Sequence, residues 1–250
     1  MYFRFPDQTI SVNIRDSAAL LRAMRERFKA HQGFALATIN LDHLVKLQTS
    51  TAFRKAYGKQ DFVVADGNPI VWLSHLARHP VSLVTGSDTL YPVLALAAEE
   101  KVPVGLFGSS PEVLAGAAER LSSEIAGLTI VTTISPAMGF DPTGAEAVSA
   151  LRQLQRSGVR LCILSLSPPR QEIFAALGRS LAPEIGFCSF GAGLDFVVGR
   201  QVRAPVWVRS VAMEWLWRAL SSPRRLLPRY AACAAILPKL TLTALLQRNK

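Results

Sequence analysis

From residue 33 to residue 191 the chain alternates between two kinds of pattern. Short apolar runs, several of them β-branched, occur at GFALATI (33–39), DFVVA (61–65), VPVGLFG (102–108), LTIVTTI (128–134), VRLCILSL (159–166) and IGFCSFG (185–191). Between them lie helical stretches at 41–57, 68–78, 87–100, 111–125, 143–157 and 169–180. A short apolar run suits a strand buried on both faces; the longer segments suit helices with one apolar stripe. Strand starts and helix starts are punctuated. Ser110-Pro111-Glu112 places an N-cap, a proline in the first turn and an acid near the positive end of a helix. Asp141-Pro142-Thr143 opens the next helix similarly. The chain shows no internal repeat and no low-complexity segment.

Strands alternating with helices of this length call for βαβ units. The pattern therefore predicts an α/β fold with a Rossmann-like, mostly parallel sheet flanked by helices. Ligands of such sheets sit beyond the carboxyl ends of the strands. The residues just after each strand become the ones to inspect: Thr38-Ile39-Asn40, Asp66-Gly67-Asn68, Gly108-Ser109-Ser110, Ser165 to Glu172, and Gly191 to Asp195. Asp66 ends an apolar run and hands over to a glycine. A carboxylate there can accept a proton from a hydroxyl, or it can simply cap the helix beginning near Asn68. In VTGSDTL (84–90), Gly86 sits in a turn, and the amides beside Ser87 and Asp88 can cap a helix or hold an anion. In SLSPPRQE (165–172), Arg170 offers a fork for diphosphate oxygens and Gln171 offers both a donor and an acceptor. Charged residues in a first helical turn are also ordinary. FGAGLDFVVG (190–199) lets a backbone approach a ligand closely, or makes a tight turn; it lacks the third glycine of a dinucleotide fingerprint.

Charge changes the picture at one end of the chain. Residues 1–199 hold 18 basic and 17 acidic side chains, whereas residues 200–250 hold 10 basic ones and a single acid, Glu214. Trp207, Trp215, Trp217, Tyr230 and many leucines are interleaved with those cations. That mixture suits an anionic membrane surface. Nucleic acid is the other partner a basic patch could serve, and a solvated basic tail is the plain reading; the large aromatics argue for lipid and against the tail. No run of about 20 apolar residues occurs, so no spanning helix is expected. The nearest segment, 231–247, carries Pro238 and Lys239. Residues 1–16 contain charges and no apolar core, so no secretory leader is expected.

Several chemistries lack their residues. The three cysteines, Cys162, Cys188 and Cys233, are far apart and show no CxxC or CxxH spacing. That points to core thiols in a reducing compartment rather than to zinc or disulfides. No GxxxxGK[ST], GxSxG or HExxH occurs, and His31, His43, His75 and His79 make no obvious metal set. There is no DxD pair to clamp a metal on a nucleotide diphosphate. Neither a metal nor a cofactor is expected.

Taken in order, ATIN (37–40), ADGNPIVW (65–72), VTGSD (84–88), LFGSSPEV (106–113), PRQE (169–172), GAGLDFVVGRQVRAPVWV (191–208) and EWLWRALSSPRRL (214–226) resemble the WecG/TagA/CpsF family of bacterial glycosyltransferases. The resemblance runs from about residue 33 to 230. It implies an inverting, metal-independent transfer from a UDP-sugar to a polyprenyl-diphosphate-linked sugar, in cell-surface or exopolysaccharide assembly at the cytoplasmic face of the membrane. Asp66 matches the family's general base, which deprotonates the acceptor hydroxyl. Thr38, Asn40 and Asn68 fall on the acceptor side. Asp88, Gly108, Arg170, Gln171, Gly191, Gly193 and Asp195 fall on the nucleotide-sugar side. Arg218, Arg224 and Arg225 match basic residues of a C-terminal lid that faces the diphosphate. The expected division is a catalytic α/β domain at 1–199 and a basic, aromatic-rich helical appendage at 200–250 that associates with the membrane. Two departures stand out: Pro228-Arg229-Tyr230 has one basic residue where relatives tend to have two, and ATINLDHL lacks a proline common after the Asn. Glucose, N-acetylmannosamine and its uronic acid all fit as the sugar moved, and a homo-oligomer is left open. The competing classes are a nucleotide-binding oxidoreductase, which would lack its early GxGxxG, and a non-catalytic adaptor that uses only the basic end.

Overall fold

The computed structural model describes residues 1–201, Trp217 and residues 223–248. Six strands form one all-parallel sheet. They are β3 (Ala35–Ile39), β4 (Phe62–Ala65), β5 (Val104–Gly108), β6 (Ile130–Ile134), β7 (Leu161–Ser165) and β8 (Gly186–Ser189), in the order β4-β3-β8-β7-β5-β6. Each lies inside one of the six apolar runs. β3, β4, β5, β7 and β8 are buried at every position, as continuous apolar runs require. β6 alternates between half-buried and exposed positions because it is an edge.

Helices cover both faces. α1 (Ser17–Lys29), α5 (Gly86–Glu99), α6 (Pro111–Glu124) and α9 (Gly193–Val197) pack on one side, around Leu36, Val64, Leu106, Ile163 and Cys188. α7 (Ala145–Arg156) and α8 (Arg170–Leu181) pack on the other, around Phe107, Phe174 and Phe187. α2 (Leu41–Thr49), α3 (Thr51–Tyr57) and α4 (Asn68–Leu76) continue that second side past β3 and β4, around Ala37, Ile39, Val63 and Ala65. The stretch 41–57, expected as one helix, is two. Ser50 leaves helical geometry at φ −105°, ψ 103°, and its hydroxyl accepts Phe53 N at 3.2 Å to start α3. Ser110 caps α6 as expected, whereas Asp141 makes a turn with Thr143 and α7 starts only after Gly144.

Elements also form where the alternating pattern does not reach. β1 (Tyr2–Arg4) and β2 (Thr9–Ser11) make an antiparallel hairpin, and α1 follows, capped by Asp16. The expected helical end of the chain is also present. α10 (Pro223–Gln247) is a continuous 25-residue helix that keeps Pro228 and Pro238 inside it. By length and composition Leu226–Gln247 is able to cross a membrane, with mean hydropathy 1.3, contrary to the expectation drawn from Pro238 and Lys239. One face of α10 nevertheless docks on α2 and α4, with Ile236, Leu240 and Ala244 in the apolar cluster behind β3 and β4. The Gln247 side chain closes the end: its amide accepts Tyr2 N at 3.2 Å and donates to Tyr2 O at 2.7 Å.

Candidate functional site

β3 and β4 run side by side in register, and the ladder ends with Asp66 N donating to Ile39 O at 2.8 Å. This puts Asn40 and Asp66 next to each other at the carboxyl edge. The Asn40 amide is used at both ends. Its Oδ1 accepts His43 N at 3.1 Å and so caps α2, while its Nδ2 donates to Asp66 Oδ2 at 3.3 Å. Helix capping therefore fixes which end of the amide faces the carboxylate. The cap position of α4 falls on Gly67 rather than on Asp66, at φ 114°. That left-handed conformation is why glycine follows the aspartate. Asp66 is half-buried, and Asn68 opens α4 beside it.

The neighbouring part of the edge is built on β8, β7 and α8. Thr38 is buried, and its hydroxyl donates to Ser189 O on β8 at 3.5 Å. Gly191 follows β8 at φ 56°, with open space where a side chain would begin. Both its backbone groups are held: its N–H donates to Gln171 Oε1 at 3.0 Å, and its carbonyl accepts Ser165 Oγ at 2.7 Å. Gln171 is buried and also donates through Nε2 to Glu172 Oε1 at 2.8 Å. In this arrangement its amide braces the edge. Arg170, beside it, is exposed and donates to Ser167 Oγ at 3.2 Å.

Other expected residues fall further along. Gly108 has φ 99°, and a Cβ there would lie 2.4 Å from Ser165 O, so β5 meets β7 only through a glycine. Gly86 lies against Phe190, which brings the start of α5 to the end of β8. Asp88 exchanges hydrogen bonds with Thr85, at 2.7 and 3.2 Å, and shares a pocket of about 310 Å³ with Ser87, Tyr91, Arg120, Gly193 and Phe196. Asp195 is half-buried; burial raises its carboxyl pKa and Arg200 opposes the rise. Arg200 in turn donates to Ser110 Oγ at 3.2 Å. The edge thus gathers Thr38, Asn40, Asp66, Gln171 and Gly191 at adjacent strand ends and pairs Asp88 with Gly193, with Asp195 on the same short helix as Gly193. Arg224 is exposed on α10, and Arg225 contributes its backbone to the same helix. Arg218 lies outside the described residues, as do Trp207 and Trp215.

Sequence reasoning missed a polar layer directly beneath this edge. His43, Tyr57 and Glu172 are all buried. His43 Nδ1 and the Tyr57 hydroxyl are 2.6 Å apart, and His43 Nε2 lies 3.9 Å from Glu172 Oε1. Burial drives the imidazole pKa down to about 3, Asp42 only partly offsetting it, and raises the Tyr57 hydroxyl well above its usual value. Burial likewise lifts the Glu172 carboxyl to about 7, against the Gln171 hydrogen bond that lowers it. At 3.9 Å, with burial pushing both partners toward neutrality, His43 and Glu172 are two neutral groups rather than an ion pair. To one side, Asp42 accepts from Lys46 at 2.7 Å and from Arg229 of α10 at 2.9 Å. Lys46 also donates to Pro168 O at 3.3 Å. The signal for this layer was a polar residue on an apolar stripe: His43 sits among Leu44, Leu47 and Phe53.

A carboxylate aligned by an amide at a strand end, flanked by a braced glycine turn, can accept a proton from a hydroxyl delivered to the edge. The family model described as the glycosyl transferase WecG/TagA/CpsF family matches residues 8–250, nearly the whole chain.

Proposed function

The chain belongs to the WecG/TagA/CpsF family of glycosyltransferases, and from that premise we propose that it moves a sugar from a UDP-sugar to a polyprenyl-diphosphate-linked sugar with inversion and without a metal. The observation that carries the reading is the Asn40–Asp66 pair at the ends of β3 and β4. Asp66 takes the proton from the acceptor hydroxyl as that oxygen attacks the anomeric carbon. The bond from the anomeric carbon to the donor diphosphate breaks, and UDP leaves with the electron pair. Single displacement at that carbon inverts it. Thr38, Asn40 and Asn68 border the acceptor. The turn at Gly191, the start of α8 with Arg170 and Gln171, Gly108, Asp195 and the pocket shared by Asp88 and Gly193 border the nucleotide sugar. Negative charge grows on the departing diphosphate, and Arg170 with the cations at the chain's end (Arg218, Arg224, Arg225) is placed in this reading to stabilise it.

The same reading makes residues 1–199 the catalytic part and residues 200–250 an appendage at the cytoplasmic face of the membrane. α10 supports it. Its outward face exposes Leu227, Leu242, Leu245 and Leu246, with Arg224, Lys239 and Arg248 also exposed. Its contact with Asp42, two residues past Asn40, brings this face beside the edge where a lipid-linked acceptor would enter. An apolar face with flanking cations suits an anionic lipid surface.

The test is a transfer assay. Purified protein is offered UDP-glucose, UDP-N-acetylmannosamine and its uronic acid with a short-chain lipid-diphosphate-linked sugar acceptor. One donor should give a product of inverted anomeric configuration in the presence of a chelator. A retained configuration, or turnover that a chelator abolishes, refutes the mechanism. In co-sedimentation, vesicles containing anionic phospholipid should retain the protein and neutral vesicles should retain less; equal retention would remove the lipid role of the basic end.

A further inference from the structure

We propose that Glu172 is a positioning residue for the nucleotide side of the edge, acting through Gln171 on the turn at Gly191. The inference rests on the reading above only in taking that turn as part of the donor site. An amide side chain can sit in either of two orientations, differing by exchange of its oxygen and nitrogen. The Gly191 N–H needs an oxygen, and Gln171 supplies it at 3.0 Å. The opposite end of the amide must then present nitrogen, and Glu172 Oε1 accepts it at 2.8 Å. Glu172 is fully buried and follows Gln171 in the first turn of α8. Its acceptor oxygen selects the orientation of Gln171 that the glycine turn requires. Turned the other way, Gln171 would set an NH2 group against the Gly191 N–H and leave that partly buried donor unpaired.

A second observation indicates that this carboxyl group is more than packing. Among the described residues Glu172 Oε2 is buried with no hydrogen-bond partner. An ionised carboxylate with an orphaned oxygen is unfavourable there, which is why burial raises its pKa to about 7. The groups facing it are Asp42, His43 and Lys46 on α2 and Tyr57 on α3. When Glu172 ionises, Oε1 becomes the stronger acceptor for Gln171 Nε2, which is why that hydrogen bond works against burial and lowers the carboxyl pKa. The brace on Gly191 then tightens. Glu172 thus couples the donor side of the edge to proton concentration near neutrality without touching the substrate.

Two readouts on the full-length protein test this. The backbone amide resonance of Gly191, followed without ligand from pH 5.5 to 8.5, should titrate in the wild type and stay constant in Glu172→Gln, which keeps an acceptor and cannot ionise. UDP affinity, measured by calorimetry over the same range, should rise on the alkaline side in the wild type and stay level in Glu172→Gln. Glu172→Leu removes the acceptor at similar volume and should weaken UDP about tenfold, the equivalent of one lost hydrogen bond. Rescue by Gln and failure with Leu distinguishes positioning from packing. A Gly191 resonance that does not titrate in the wild type overturns the proposal, as does one that titrates equally in Glu172→Gln. If Glu172→Leu does not fold, the wild type and Glu172→Gln decide alone. Should UDP fail to bind the wild type, the donor site is misplaced, while the brace still stands or falls on the Gly191 resonance.

Discussion

Asn40 and Gln171 do the same job in two neighbouring parts of the edge. Each amide accepts a backbone N–H through its oxygen and donates through its nitrogen to a carboxyl group. The two carboxyl groups differ in burial. Asp66 is half-buried at the ends of two strands, whereas Glu172 is fully buried beneath α2 and α3. The hydrogen-bond device is constant, so exposure decides what each acid can do. In the proposed mechanism the exposed one takes the substrate's proton; the other is held neutral up to about pH 7 by burial and can only orient its neighbours.

The largest expected effect tests the exposed member. Asp66→Asn keeps the shape and removes the base, so transfer should fall by about 10²–10⁴-fold with the unfolding midpoint unchanged. Turnover within a few-fold of wild type in that variant would strike Asp66 from the mechanism and leave the two devices with no functional difference.

The buried member should respond in stability instead. The Glu172 carboxyl has its ordinary value of 4.5 when unfolded and about 7 when folded. A raised folded pKa means that the native state holds its proton while the unfolded chain releases it. Stability is therefore lost as pH rises from 4.5 to 7 and stays lost above. A shift of this size corresponds to roughly 3 kcal/mol. Glu172→Gln never ionises. Its denaturant stability relative to wild type should improve across that window by up to this amount and then level off. A difference between the two proteins that is flat from pH 4.5 to 8 would show that Glu172 is not held neutral.

Sequence and structure agree best where one physical effect dominates. Complete burial writes a strand as an unbroken apolar run, so five of the six sheet strands were legible that way and the edge strand β6 from its β-branched residues; strand ends located Asn40, Asp66 and Gly191. Asp66-Gly67 was legible as chemistry but ambiguous as geometry, because an N-cap and a base have the same local sequence. The structure puts Gly67, not Asp66, at the cap position, which the local sequence does not show. Gln171 and Glu172 were visible as a motif, yet their burial depends on α8 pressing onto the sheet at Gly178. There a Cβ would come within 2.4 Å of Phe187 Cζ, a contact between residues of different elements that no local pattern carries. α10 was legible as the helical end of the chain, but its continuity was not. Proline disfavours a helix locally, while packing of Ile236, Leu240 and Ala244 against the body and the Gln247–Tyr2 pair support a helix that continues past Pro238.

A smaller effect separates the two functions of the exposed amide. Asn40→Asp retains a good cap for α2, so stability should change little. It also replaces the donor facing Asp66 with a second carboxylate, and like charges that close favour protonation of one of them. Transfer should fall most at acid pH, where one of the two carboxyl groups holds a proton, and recover toward neutral pH as both ionise. A loss that does not depend on pH would mean that Asn40 serves the acceptor directly rather than through Asp66.

The smallest expected effect asks whether the two devices are independent. Asp42 lies between them: it starts α2 just after Asn40, pairs with Lys46, and through Lys46 meets Pro168, in the loop that leads to Gln171. It also receives Arg229 from α10. Asp42→Asn would leave Lys46 and Arg229 facing each other without the carboxylate between them. Both cations are more than a third exposed, at 37% and 42%, so solvent screens the repulsion, and the loss in stability should be about 1 kcal/mol or less. The informative quantity is the coupling. If the devices are separate, the effects of Asp42→Asn and Glu172→Gln on stability should add to within about 0.5 kcal/mol, as for sites without a shared partner. If Asp42 tunes Glu172 through the layer that holds His43, the pair should depart from additivity, and more so above pH 7, where wild-type Glu172 is charged and closest to Asp42 in electrostatic effect. Additivity at every pH would leave burial alone as the cause of the difference between the two carboxyl groups.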